Sequence, residues 1–203
     1  MPAHEGDRYV VAKPDSTRRL GLMAEALPLL LCGQTTARHW AEPVDLAGVP
    51  NLHRVTPLIY RSAQPSAEGY HNLAKIGVKT VINLCRTVDD SPLAVGTGLA
   101  LIHINTTRHV TDGNGAKIVL ALRALRDAQN PGPVLLHCTR GADRTGIIAA
   151  LWRMLYQGWS RDQALEELQQ DGFGFHAVWI NIPQYLRHFD LNDLKPRIAS
   201  EPA

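Results

Sequence analysis

The chain has 203 residues, 45% of them hydrophobic and 20% charged, with a formal net charge of +2 at pH 7. That length can close one full core with a short extension, and so small and dispersed a charge gives no basic stripe for nucleic acid. Three cysteines (Cys32, Cys85 and Cys138) supply no disulfide framework, and no repeat, low-complexity tract or membrane-length apolar run interrupts the sequence.

Residues 1–37 differ in character from the rest. Arg18 and Arg19 precede an apolar stretch over 20–31, and small and polar residues follow from Cys32 to Ala37. A basic start, a short apolar run and a small-residue exit is the layout of a secretory signal, which favours a periplasmic or secreted protein without stable membrane insertion after processing. Glu25 inside the run, with Asp7 and Asp15 ahead of it, suits the alternative of an amphipathic N-terminal helix on a cytoplasmic protein. Residues 38–203 are expected to form one domain, its core at 51–190.

Residues 38–57 carry scattered Pro and Gly and form a lead-in, with the first strand starting over 55–59. Ser66 can cap a helix running through Ala74, with Glu68 in its first turn and Gly77 closing it. The β-branched run 78–84 predicts a buried parallel strand, and a polar loop over 85–92 follows its carboxyl end. A further strand at 99–104 leads into a long polar loop, 105–115. Ile118, Val119, Leu122 and Leu125 then mark one face of a helix over 117–128. Asn130, Pro131, Gly132 and Pro133 break the chain before a short apolar strand ending at His137. Helices are predicted at 145–156, 160–169 and 181–189. Strands alternating with helices predict an α/β fold, a central, mostly parallel sheet flanked by helices. Ligands in such sheets bind beyond the carboxyl ends of the strands, which is where the loop after His137 falls.

That loop carries the chemistry. Cys138 opens it and Arg144 closes it, five residues intervening, at a strand-to-helix transition. Backbone N–H groups entering a helix form a concave nest for an anion, with the positive end of the helix dipole behind them. Arg144 adds a planar fork matched to two phosphate oxygens. The same field lowers the pKa of Cys138 and holds it as the nucleophilic thiolate. Thiolate and phosphate cradle together imply attack on phosphorus. Cys32 and Arg38 repeat the spacing, but with Leu31 before the cysteine, His39 after the arginine and no strand-to-helix transition around them.

The run His137-Cys138-Thr139-Arg140-Gly141-Ala142-Asp143-Arg144-Thr145-Gly146 resembles the signature of the protein tyrosine phosphatase superfamily, in particular its small bacterial and atypical dual-specificity members. Tyr60 to Pro65, Thr80 to Leu84 and Tyr156 to Trp159 are similar to accompanying segments of that group. The resemblance implies a cysteine-dependent phosphatase fold and metal-independent hydrolysis of phosphate monoesters on tyrosine, serine or threonine, through a cysteinyl-phosphate intermediate and without a cofactor. It makes Cys138 the nucleophile and Arg144 the phosphate clamp, with Thr139, Arg140, Gly141, Ala142, Asp143 and Thr145 lining the substrate. It places a general acid on a loop between a strand and the next helix ahead of the cysteine. Asp112, beside Gly113 and Gly115, meets that position, and Asp89 and Asp90 compete from the neighbouring loop. It also turns His137 behind the cysteine to hold the loop by backbone hydrogen bonds, and sets Thr145 to assist the sulfur as a leaving group.

Gly141 is read as the point where backbone comes close to the ligand. Asp143 is unexpected in an anion site and could orient Arg144, hold the hydrolytic water or repel multiply charged substrates. Gly-x-Asp-Arg-Thr also resembles some lipid and phosphoinositide phosphatases, and Arg140 would suit a polyphosphorylated head group, so an inositol phosphate or phosphoinositide phosphatase is the alternative. His103, His109, His176 and Trp179 show no metal-ligand spacing. Cys85 reads as a core residue or an oxidative partner for Cys138. A rhodanese-like sulfurtransferase, whose loop is a residue shorter, and a phosphate-binding pseudophosphatase interaction module are the competing classes. The partner expected is a phosphorylated protein or small phosphorylated metabolite.

Overall fold

The structure, a computed structural model, describes residues 40–108, 115–170 and 172–200. The N-terminal segment 1–37 and two expected residues of interest, His109 and Asp112, lie outside the described residues.

Among the described residues six strands form one sheet in the order β1-β2-β3-β6-β4-β5. Here β1 is Glu42–Pro43, β2 His53–Thr56, β3 Ile59–Ser62, β4 Thr80–Asn83, β5 Ala100–His103 and β6 Val134–His137. The four strands β3, β6, β4 and β5 pair in parallel, and β1 and β2 add an antiparallel edge. The α/β expectation therefore holds. The single strand expected to start over 55–59 is corrected to a hairpin. Pro57 has no N–H for a ladder and a fixed φ, and the Leu58 N–H turns back to Thr56 Oγ1 at 3.1 Å, so the chain reverses there.

Among the described residues six helices cover the sheet: α1 Ala67–Lys75, α2 Gly115–Asp127, α3 Asp143–Tyr156, α4 Arg161–Gln170, α5 Asn181–His188 and α6 Leu191–Ala199. Ser66 caps α1 as expected, its hydroxyl accepting from the Gly69 N–H at 3.2 Å. Helix α6 was not expected, because Pro196 lies inside it and reads as a breaker. Proline is accommodated in this short element because Leu194 and Ile198, four apart, are both buried, and Asp190 caps its start by accepting from the Asn192 N–H at 2.8 Å.

Both faces of the inner strands β6 and β4 are covered. Leu135 of β6 and Val81 of β4 pack with Tyr70 and Leu73 of α1. The alternate residues Val134, Leu136 and Ile82 pack with Leu122 and Leu125 of α2 and with Ile148 and Leu151 of α3. Burial on both sides is why β6 reads as an unbroken apolar run. It also leaves its carboxyl end, where Cys138 begins, held between β3 and β4 on either side.

Candidate active site

The loop from Cys138 to Arg144 joins β6 to α3, and its shape is set from outside. Three successive carbonyls are held away from the centre of the loop. Thr139 O accepts from the Gln64 N–H at 3.3 Å, Arg140 O from Asn51 Nδ2 at 2.9 Å, and Gly141 O from an Arg61 guanidinium nitrogen at 2.7 Å. In a trans peptide the N–H points opposite its carbonyl, so tying these oxygens outward turns the N–H groups of residues 140–142 inward. Arg61 itself is buried, with its guanidinium 3.6 Å from the centroid of the Phe173 ring.

At Gly141 the fold itself demands a glycine. Its φ is +71°, and a Cβ there would lie 2.5 Å from the Ser62 carbonyl carbon and 2.6 Å from the Ala63 nitrogen. The loop backbone here packs directly on the end of β3. The left-handed backbone adds a second demand for glycine.

Cys138 is almost fully buried. Burial alone would raise its pKa, but the Thr145 hydroxyl and N–H, the Arg144 charge and the Arg140 N–H together hold it below the ordinary thiol value. The Thr145 hydroxyl has no oxygen or nitrogen partner among the described residues, which leaves it for the sulfur. Arg144 is aimed by two bonds, one to Leu84 O at 3.0 Å and one to Thr139 Oγ1 at 2.9 Å, while its buried Nε has no partner among the described residues. The structure thus brings together Cys138 and Arg144, the residues expected as nucleophile and clamp.

His137 lies fully buried behind the cysteine, but its side chain does not bond to backbone. Its Nε2 meets Asp90 Oδ2 at 2.8 Å. Asp90 Oδ1 accepts from Gln64 Nε2 at 3.0 Å and from Asn83 Nδ2 at 2.9 Å. Burial works to raise the Asp90 pKa, yet the bonds to His137, Gln64 and Tyr70 prevail and hold it below the ordinary carboxylate value. A buried, ionised, fully partnered carboxylate is a brace for the loop and a poor proton donor. Asp89, by contrast, is turned to the exposed Ser91 N–H at 2.9 Å.

Asp143 finds a partner that none of its expected roles included. Its carboxylate accepts from the His176 N–H at 3.1 Å and from His176 Nδ1 at 3.0 Å, and Arg108 stands 3.8 Å away. Arg140 is exposed and reaches His176 Nε2 at 2.6 Å. Ala142 precedes α3 and is buried, and Thr139 is exposed at the rim. Cys85 is buried near the loop, its sulfur 3.6 Å from Thr139 Oγ1, and burial pushes its thiol pKa up. Among the described residues no group of three or more His, Cys, Asp or Glu could hold a metal, and no helix is long and apolar enough to cross a membrane.

The supports Asn51, Arg61 and Gln64 were missed from the sequence. The one available signal was Arg61, a charged residue within a strand of an otherwise buried sheet, where a cation needs a partner.

A low-pKa cysteine at the foot of an inward-facing nest, with an arginine clamp, on a mostly parallel α/β sheet, defines a cysteine-based phosphatase. The chain belongs to the tyrosine phosphatase family, which it matches over residues 49–201. It is 35% identical over 161 residues to the dual specificity protein phosphatase TpbA of Pseudomonas aeruginosa, a match covering 79% of this chain and 72% of that protein. The crystal structure of a cysteine-to-serine variant of TpbA in complex with phosphotyrosine superposes with a TM-score of 0.72, at 34% identity, over 82% of this chain and 100% of that one. The inositol diphosphatase DSP5 of Arabidopsis thaliana is 31% identical over 127 residues, 60% of this chain and 61% of its own length.

Proposed function

We propose that this protein hydrolyses phosphate monoesters on proteins, phosphotyrosine among them, through a cysteinyl-phosphate intermediate. The observation that carries this reading is the set of outward-tied carbonyls of residues 139–141 around a cysteine of lowered pKa. The inward N–H groups and Arg144 hold the three non-bridging oxygens and stabilise the charge that builds on them. Cys138 Sγ forms a bond to phosphorus as the ester P–O bond breaks. The departing oxygen takes a proton, and Asp112 is the residue proposed to supply it. Water then attacks phosphorus, the S–P bond breaks, and inorganic phosphate leaves while Thr145 stabilises the returning thiolate. The sum is ester plus water giving alcohol plus phosphate.

Replacing Cys138 by serine exchanges the thiolate for a neutral hydroxyl of similar size. Turnover of aryl phosphates and phosphotyrosyl peptides is expected to vanish, with the fold retained by circular dichroism. Near-wild-type turnover in that variant would remove Cys138 as nucleophile.

A second reading, an inositol phosphate phosphatase with the same steps, is favoured by Arg140 and Arg108, which set two further cations beside the loop. A kinetic panel across aryl phosphates, phosphopeptides and inositol phosphates separates the two by the ratio of their kcat/KM values.

A further inference from the structure

Asp143, His176 and Arg140 form a line from the first turn of α3 to the mouth of the loop. The His176 N–H bonds to Asp143 Oδ1 at 3.1 Å, and His176 Nδ1 stands 3.0 and 3.1 Å from the two carboxylate oxygens. On the other side of the ring, Arg140 Nη1 lies 2.6 Å from Nε2. A guanidinium has no acceptor to offer, so it can only donate there, and Nε2 must carry a lone pair. Nδ1 then bears the proton and gives it to Asp143. The contacts thus assign one neutral tautomer to His176.

The segment that presents His176 is itself fixed to the loop. Asn51 Nδ2 bonds both to Arg140 O at 2.9 Å and to Phe173 O at 3.0 Å, and Arg61 packs over the Phe173 ring while bonding to Gly141 O. His53 meets the same ring edge-on, with centroids 4.7 Å apart. His176 is therefore held in place whatever its charge. Among the described residues, the charged groups facing it are Asp143 from α3, Arg140 from the loop, and Arg108, which lies 3.8 Å from Asp143 and over the Trp179 ring. The carboxylate favours an imidazolium and both arginines oppose one. Protonating Nε2 would place an N–H against the Arg140 N–H at hydrogen-bond distance. Asp143 would keep the imidazolium, and exposed Arg140 would be the partner that leaves.

We propose that His176 is a positioning residue that holds Arg140 at the mouth of the phosphate loop while neutral and releases it when protonated, so that acidic substrate flanks are favoured only while His176 is neutral. The proposal rests on the phosphatase reading and deepens it. It gives Asp143, which has no place in the phosphate chemistry above, the task of fixing the tautomer. Histidine is the side chain whose charge changes between about pH 5 and 8, so the preference would respond to ordinary changes of pH.

Two phosphotyrosyl peptides test this, one with glutamates flanking the phosphotyrosine and one with glutamines at the same positions. The second ionisation of each phosphotyrosine, which the glutamates raise slightly, is followed by phosphorus-31 NMR and divided out, and the glutamates stay ionised above about pH 5. The ratio of their kcat/KM values therefore isolates the flank. In the wild type this ratio should fall roughly two- to fivefold on going from about pH 8 to 5.5, the worth of one exposed charge pair. His176→Gln can donate to Asp143 and accept from Arg140 without titrating, so its ratio should stay high and flat. His176→Ala should give a low ratio at every pH. A pH step that persists in His176→Gln, or a His176→Ala ratio equal to wild type, overturns the proposal.

Nitrogen-15 NMR of the wild type supplies a readout that needs no turnover: at about pH 8, His176 should show the Nδ1–H tautomer. An Nε2–H tautomer overturns the proposal by itself. If neither peptide is hydrolysed by any variant, the protein-phosphatase reading fails and with it the preference for acidic flanks, while the tautomer still decides whether His176 holds Arg140.

Discussion

Asp90→Asn distinguishes a brace from a proton donor. Besides the Tyr70 hydroxyl, three donors converge on the Asp90 carboxylate: His137 Nε2 at 2.8 Å, Asn83 Nδ2 at 2.9 Å and Gln64 Nε2 at 3.0 Å. Asparagine keeps one oxygen for Asn83 and Gln64 but turns an NH₂ group toward His137. The imidazole could accept from it only by moving its own proton to Nδ1, which is buried and has no partner among the described residues. The variant therefore loses one hydrogen bond to a charged group, about 1.5–3 kcal/mol, and leaves a buried donor unpaired. A total loss of about 2–4 kcal/mol is expected, below the roughly 3–5 kcal/mol of a buried pair broken outright. Against the roughly 5–15 kcal/mol of a whole domain this is large, and with a urea slope of about 2 kcal/mol/M the midpoint should fall by roughly 1–2 M.

The pH dependence has a definite sign. The folded-state pKa of Asp90 lies below its ordinary value of 3.8, so the carboxylate's contribution is fully present above that value. It is lost as pH falls through the lowered pKa. The gap between wild type and variant should be constant near pH 7 and close below pH 3.8. Turnover should drop by the same factor for good and poor leaving groups, since the defect lies in the loop that holds Cys138. An unchanged urea midpoint would refute the brace. A loss confined to poor leaving groups would make Asp90 the general acid.

Two substitutions follow from the same geometry and chemistry. Asp112→Asn should cost roughly 10²–10⁴-fold in turnover of aryl phosphates with poor leaving groups and far less for acidic phenols, and should flatten the high-pH limb of the rate profile. A uniform loss across a leaving-group series would leave Asp112 without the acid role. Gly141→Ala forces a side chain into a backbone at φ +71° and against the Ser62 carbonyl carbon, so turnover should be largely lost. Its thermal unfolding should reflect at least the roughly 1–2 kcal/mol of a left-handed non-glycine residue. Wild-type kinetics and melting in Gly141→Ala would disprove the close packing of the loop on β3.

The sequence by itself determined whatever depends on neighbours along the chain. The apolar run before Cys138, the Ser66 cap with Gly77 beyond it, and the alternation of strand and helix are local signals, and they carried the α/β fold and the β6–loop–α3 unit. Cys138 and Arg144 were legible because one loop holds both, and the backbone geometry of a strand-to-helix turn brings them together without help from elsewhere. What only the tertiary structure decided is how that loop is held. Asn51 and Arg61 bond to carbonyls 89 and 80 residues away, and Asp90 reaches His137 across 47. A hydrogen bond between distant residues leaves no periodicity in the sequence, so a buried Asp90 and an exposed Asp89 look alike there. The need for Gly141 was visible, but its packing against β3 was not, because the crowding atoms belong to Ser62 at the end of that strand and Ala63 just beyond it. Asp143 looked out of place in an anion site for the same reason: its partner, His176, comes from a segment that meets the loop only when the chain has folded.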